Sequence, residues 1–427
     1  MTIVVRQGRI ERIAPSSAAP PPAGLPVVDG TEKFVIPGLW DMHVHLFNHT
    51  RPAPPDDHIT FPVFVAHGVT SVREMWTKPQ EAPQIRSWRA QLAQGRMGPR
   101  LIAVGTVVDG APPLVPGALV ATTEAEAVAA VATIQAAGID FVKVYWNLQR
   151  APFLAIAEEA RRRGMRVAGH VPYLVKPSEA SDAGMASIEH LTEIPMECSS
   201  KEAELRAIDP AKWSAAEDAI MWGTRDPRKC GELAAKLAAN RTWQVPTLVM
   251  HRTLSFDYDE SIVTQDALRW VPAAKRRAWF TEREKVRKGS SPEIRAMMRT
   301  AFRAHLALLK QLHRAGVPIL AGSDVGMPFV FPGDSLHDEL ALLVEAGLTP
   351  MEALRSATQS PARFSEMDRE LGTVEVGKLA DLVVLDANPL EDIRNTRRID
   401  AVVLRGRLLS RASLQHALAD AESAARR

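Results

Sequence analysis

Short apolar runs alternate with amphipathic stretches along most of this chain. The runs fall at Ile36–His45, Ser71–Met75, Leu101–Val108, Phe141–Tyr145, Val167–Val171, Ser187–Leu191, Trp243–Met250 and Pro318–Ala321. They are mostly unbroken, which suits strands buried on both faces. Between most of them, as over Glu124–Ala137, Pro152–Arg163 and Arg295–Ala315, apolar residues recur at three- and four-residue spacing, the mark of helices with one core-facing side. Eight strands separated by helical crossovers predict an α/β fold built on a parallel (β/α)8 barrel.

Both ends break this rhythm. The chain opens with a strand pair, Thr2–Val5 and Ile10–Ile13. After helices over Ser335–Ala346 and Pro350–Ala357, it returns to strands over Leu371–Leu385 and Ala401–Leu409. These have no place in a barrel, so the expectation is a small β-sandwich-like module formed by both chain ends (1–35 and 368–412) beside a barrel spanning 36–367. Two stretches, 192–241 and 251–300, are longer than barrel connections need to be. They are expected at the catalytic mouth, as lids or substrate walls. Their tryptophans, Trp213, Trp222, Trp270 and Trp279, together with Trp243, suggest room for an apolar or aromatic group.

Composition narrows the field. Of 427 residues, 46% are hydrophobic and 24% charged, and no apolar run approaches the ~20 residues that span a bilayer, so no membrane partner is expected. A formal net charge of +2, spread evenly, gives no nucleic-acid footprint. The first residues lack the pattern of a signal peptide, making the cytoplasm the default location. The chain nevertheless starts directly in a strand, which leaves room for a removed upstream leader and a periplasmic or secreted protein. Cys198 and Cys230 share one irregular region; two free thiols are the commoner arrangement, whereas a disulfide would imply an oxidising compartment. A homo-oligomer is compatible with the sequence.

The candidate chemistry lies at the C-terminal ends of the strands, the functional face of such a barrel. Strand one ends in His43 and His45, which project to the same side because strand side chains alternate. Strand four carries Lys143, strand five ends in His170, strand six in His190 and strand eight in Asp324. Taken singly, a strand-end histidine is more often a structural residue, and Asp324 could cap a turn. Four of the chain's twelve histidines and an aspartate on four strand ends point instead to a metal site. Lys143, flanked by Phe141, Val142, Val144 and Tyr145, is costly to bury as an ammonium. It either pairs with a carboxylate or, as a neutral amine, takes up carbon dioxide to form a carbamate able to bridge two metals. The charge-poor ligand set favours the carbamate.

These residues resemble the amidohydrolase superfamily. The resemblance rests on His43-x-His45, Lys143, His170, His190 and Asp324, and extends to Ile36-Pro37-Gly38-Leu39 and Gly377-Lys378-Leu379-Ala380-Asp381-Leu382. The nearest branch in kind is imidazolonepropionase-like and Xaa-Pro-dipeptidase-like, in the two-metal subtype. The chain departs from the family at the front, where the flanking sandwich normally begins with further strands. The resemblance implies two divalent ions, zinc foremost among zinc, cobalt, manganese and iron. One would be held by His43, His45 and Asp324 and the other by His170 and His190, with carbamylated Lys143 across both. It implies hydrolysis of an amide or peptide bond, in a dipeptide or N-acyl amino acid, by a metal-bridged hydroxide, with Asp324 as general base and then general acid. Hydrolysis of a lactone, carbamate or phosphotriester, deamination of a ring, or a non-catalytic barrel remain alternatives. Weaker substrate-contact candidates are Tyr173, after strand five, and His337, at a helix start. Arg73 and Glu74 are expected to pair with each other or face the pocket. His49, His58, His67, His251, His305, His313 and His416 are assigned to surface or packing.

Overall fold

The computed structural model describes residues 1–17, 24, 26–47, 55–209, 212–255 and 266–427. His49 and parts of the proline-rich stretches at 15–26 and 52–55 lie outside the described residues, as does 256–265 of the second insertion.

Fourteen strands are numbered here in chain order. The N-terminal hairpin is β1 (Thr2–Arg6) and β2 (Arg9–Ala14), followed by β3 (Phe34–Pro37). The barrel strands are β4 (Leu39–Val44), β5 (Val69–Glu74), β6 (Arg100–Asp109), with a short β7 (Leu119–Val120) pairing beside it, then β8 (Phe141–Val144), β9 (Arg166–Gly169), β10 (Ser187–Glu189) and β11 (Trp243–Val245). The tail supplies β12 (Leu382–Leu385), β13 (Ile399–Leu404) and β14 (Arg407–Ser410).

All neighbours in the order β4-β5-β6-β8-β9-β10-β11 are parallel. The expected eighth strand closes the ring as an extended segment. Leu320 N donates to Gln244 O at 2.9 Å on one side, while Met42 N donates to Ala321 O at 3.0 Å and Asp324 N to His43 O at 2.8 Å on the other. The (β/α)8 expectation therefore holds. Strand seven is shorter than expected: it stops at Val245, because Pro246 cannot continue the ladder, and Leu248–Ser255 is helical. Inside the barrel, Trp40, Met42, Val245, Leu320 and Phe364 form an apolar plug beneath the site, whereas Val44 joins the main core between strands and helices.

The chain ends differ in detail from expectation. The tail strands form an antiparallel sheet in the order β14-β13-β12-β3, so the N-terminal contribution is β3. The β1–β2 hairpin is a separate ribbon, held by the 377–380 turn: Ile10 N donates to Lys378 O and Ala380 N to Gly8 O, both at 2.8 Å. Of Leu371–Leu385, only the last four residues are strand. The segment after β14 is not a tail but a helix, Arg411–Arg426, capped by the Ser410 side chain. Leu414, Leu418, Ala421 and Ala425 recur along one face at helical spacing. Leu418, Ala421 and Ala425 meet Trp270, Val271 and Trp279 of the second insertion, and Trp270 Nε1 donates to Leu418 O at 3.1 Å.

The two cysteines are joined. The Ile194–Cys198 and Pro227–Ala239 helices of the first insertion pack together and bring the Cα atoms of Cys198 and Cys230 to 4.7 Å, within the normal range for a disulfide. This corrects the expectation of free thiols. A separation of 32 residues carries no sign that two helices will meet.

Candidate metal centre

Strands one, four, five, six and eight of the barrel deliver their expected residues to one end of the ring, where the loops enclose a cavity of about 2050 Å³. His43, Lys143, His170, His190 and Asp324 are all at least nine-tenths buried there. Nε2 of His45 lies 3.1 Å from Asp324 Oδ1 and Nε2 of His43 lies 3.4 Å from it. Ligand atoms of His43, His190 and Asp324 all fall within 4.8 Å of one another, and the His170 and His190 rings are 4.8 Å apart between centroids. Left-handed backbone at His190 (φ 60°) and Asp324 (φ 65°) turns these two side chains at the strand ends.

Hydrogen bonds on the far side of two rings fix which nitrogen faces the site. His43 Nδ1 donates to Glu189 Oε2 at 2.8 Å. Thr247 Oγ1 already donates to Pro246 O at 2.8 Å, so it accepts from His190 Nδ1 at 2.7 Å. In each ring this leaves Nε2 with a free lone pair. Among buried side-chain atoms without a hydrogen-bond partner are His43 Nε2, His45 Nδ1 and His170 Nδ1. Buried orphan imidazole nitrogens beside a carboxylate are what a divalent cation satisfies, so the donor set fits a metal. Burial holds the imidazoles of His43, His170 and His190 below the ordinary histidine range and brings His45 to about 4, keeping all four neutral as ligands must be.

Burial also lowers the Lys143 amine to about 8. Among the described residues no carboxylate lies within salt-bridge distance of its Nζ, which sits 5.8 Å from the centre of the Tyr145 ring. The paired-lysine alternative thus finds no partner.

Beneath the histidines lies a layer that the sequence reading missed. Arg73 does not pair with Glu74. Its guanidinium bonds Glu189 at 2.8 and 2.9 Å, Ser187 Oγ at 3.0 Å and Met42 O at 2.6 Å, between the rings of Phe141 and Phe364. Burial alone would raise the Glu189 carboxyl, but Arg73 and the His43 hydrogen bond outweigh it and hold the group at about 2. Glu74 instead accepts from the backbone of Leu46 and Trp76, and burial raises it to about 8. Asp41 ties strand one to the closing segment, accepting from Ser323 N at 2.9 Å and His43 N at 3.2 Å; burial raises it to about 7. A polar residue inside an apolar run was the available signal for Asp41, Arg73 and Glu189.

The weaker candidates separate. Tyr173 lines the cavity, but its hydroxyl is committed to Leu205 O and Ile208 O at 3.2 and 3.1 Å, pinning the first insertion. His337 lies outside the cavity lining, buried between Thr396 Oγ1 (2.9 Å) and His67 O (3.0 Å). The helix it begins turns it towards the tail. Conversely His251 and His305, assigned above to surface or packing, line the cavity and stack with centroids 4.2 Å apart. Trp213, Trp222, Trp270 and Trp279 line it too, whereas Trp243 packs on Phe364 at the other end of the barrel.

Gly169 shows how closely the site is built. Its φ is +125°, and a Cβ there would fall 2.4 Å from Val144 O, which accepts from His170 N. Gly169→Ala should cost roughly 3 kcal/mol, combining backbone strain and overpacking, and displace His170. Chemical denaturation with metal analysis checks this; an unchanged midpoint and metal content would refute it.

The chain belongs to the amidohydrolase family, whose model matches residues 34–409. Ochratoxinase of Aspergillus niger is 33% identical over 108 residues, which make up 25% of this chain and 22% of that protein. A Bifidobacterium longum protein proposed to be a prolidase is 27% identical with a TM-score of 0.67, covering 98% of this chain and 93% of its own. Bottromycin amidohydrolase has a TM-score of 0.74 at 24% identity, covering 98% of this chain and 85% of its own. Among the described residues no helix is long and apolar enough to cross a membrane.

Proposed function

We propose that this chain hydrolyses an amide or peptide bond in a small substrate of dipeptide or N-acyl amino acid type, using two divalent ions, zinc foremost. The observation that carries the reading is the cluster of buried imidazoles beside Asp324, three of them with a partnerless ring nitrogen, at the floor of a large, largely apolar cavity. His43, His45 and Asp324 would hold one ion, His170 and His190 the other, and Lys143 as its carbamate would serve both. Bound there, the ions would acidify water and polarise a carbonyl. The residues supply the rest. Against its burial, the surrounding imidazoles keep the Asp324 carboxylate ionised, so it accepts a proton from the attacking water and returns it to the departing nitrogen. Glu189 and Thr247 hold the His43 and His190 rings in the tautomers that ligate. The prolidase-like and ochratoxinase relatives support the choice of an amide.

The test is a panel of dipeptides, N-acyl amino acids, lactones and phosphotriesters, assayed with and without chelator and alongside elemental analysis. Amide cleavage abolished by chelation and restored by zinc, with about two ions per chain, is the expected result. Turnover confined to lactones or phosphotriesters would overturn the substrate class, and metal-free turnover would overturn the mechanism.

A further inference from the structure

His251 and His305 stand on the cavity wall one layer out from the metal ligands. They come from the Leu248–Ser255 and Pro292–Arg314 helices. The His251 ring lies 6.4 Å from that of His190, and its Nε2 meets His190 O at 3.2 Å. His305 Nδ1 meets Ala301 O at 2.9 Å, one helical turn back. A carbonyl oxygen can only accept, so both ring nitrogens must donate. A neutral imidazole carries one proton, so the remaining nitrogens, Nδ1 of His251 and Nε2 of His305, are lone-pair acceptors. Neither of these nitrogens has a partner within the protein among the described residues, and both rings line the cavity. On the far side of His305 the Trp222 ring packs at 4.5 Å, so the pair is framed by apolar surface.

We infer that His251 and His305 form a two-acceptor reader for a hydrogen-bond donor on the substrate, an N–H or ammonium placed a few bonds from the reacting carbonyl. The placement follows from the contact between His251 and the backbone of His190. A bound donor-bearing substrate pairs with these cavity-facing acceptors; one lacking the donor covers them and leaves them unpaired, the kind of mismatch that sites discriminate strongly. This rests on the amide-hydrolysis reading for its substrates but not for its geometry.

Two measurements test it. In the metal-loaded protein, kcat/KM is compared for phenylalanine acylated with leucyl, N-acetylleucyl, N-acetyl-N-methylleucyl or 4-methylpentanoyl groups. The first two carry a donor and the last two do not. Donor-bearing members should lead by roughly ten- to a hundredfold. In His305→Phe, which keeps the ring and its stacking but removes one of the two acceptors, that ratio should fall by roughly threefold or more. Turnover without donor preference, or a preference unchanged in His305→Phe, overturns the inference while leaving the hydrolase reading standing. If no member of the series turns over, the substrate class is what fails, and nitrogen-15 NMR of the metal-free protein decides the inference. Nδ1 of His251 and Nε2 of His305 are expected to resonate as unprotonated ring nitrogens; protonation at either would overturn it.

Discussion

Lys143→Ala should lose bound metal and turnover together, the latter by at least about a thousandfold, since removing metal-assisted activation takes away several kcal/mol of transition-state stabilisation. The reason lies in what surrounds the amine. Lys143 is 2% exposed, flanked by Phe141, Val142 and Val144, and burial moves it towards its neutral form. A neutral amine can add carbon dioxide, and the product would bring negative charge to the proposed centre, whose other proposed ligands are four neutral imidazoles and one carboxylate. Alanine offers neither charge nor a bridge. Folding should survive, because a costly buried ammonium is removed at the same time. Elemental analysis, steady-state rates and a denaturation midpoint form the test, and added short-chain carboxylates should restore part of the activity by filling the vacated space. Wild-type metal content and turnover in the variant would end the carbamate proposal.

The second large effect is expected on stability. Arg73→Leu leaves the Glu189 carboxylate buried among Phe141, Phe364 and the barrel plug with its principal counter-charge gone. Breaking one side of a buried ion pair typically costs about 3 to 5 kcal/mol. The double variant Arg73→Leu with Glu189→Leu should recover much of that loss, since the penalty comes chiefly from the stranded charge. Glu189→Gln should act differently: fold stability falls less, whereas metal affinity drops roughly ten- to a hundredfold as the His43 ring loses its orienting carboxylate. Urea titrations and metal-competition assays separate the two. An Arg73→Leu midpoint matching the wild type would show that the pair does not support the barrel floor.

Much of this arrangement was legible in the residues. Strand-end histidines stand out because the unbroken apolar runs that carry them stop abruptly at polar loops, so the sequence places His43, His45, His170 and His190 at one end of the barrel. Asp324 was legible for the same reason, although its segment closes the barrel without a regular ladder. What could not be read depends on contacts between distant segments. Arg73 meets Glu189 across 116 positions, and adjacency in sequence made Glu74 the natural partner. His251 and His305 come from two helices whose spacing matches ordinary packing, so only their mutual stacking in the cavity sets them apart. The Arg411–Arg426 helix escaped notice because its buried face is largely alanine, which gives a weak hydrophobic signal.

That final helix ties part of the pocket wall to a segment 148 positions further along the chain. Trp270 and Trp279 face the cavity on one side and rest on Leu418, Ala421 and Ala425 on the other. Disrupting the Arg411–Arg426 helix would therefore read out first as altered substrate handling, well before the barrel itself gave way. The β1–β2 ribbon, by contrast, stands apart from the cavity.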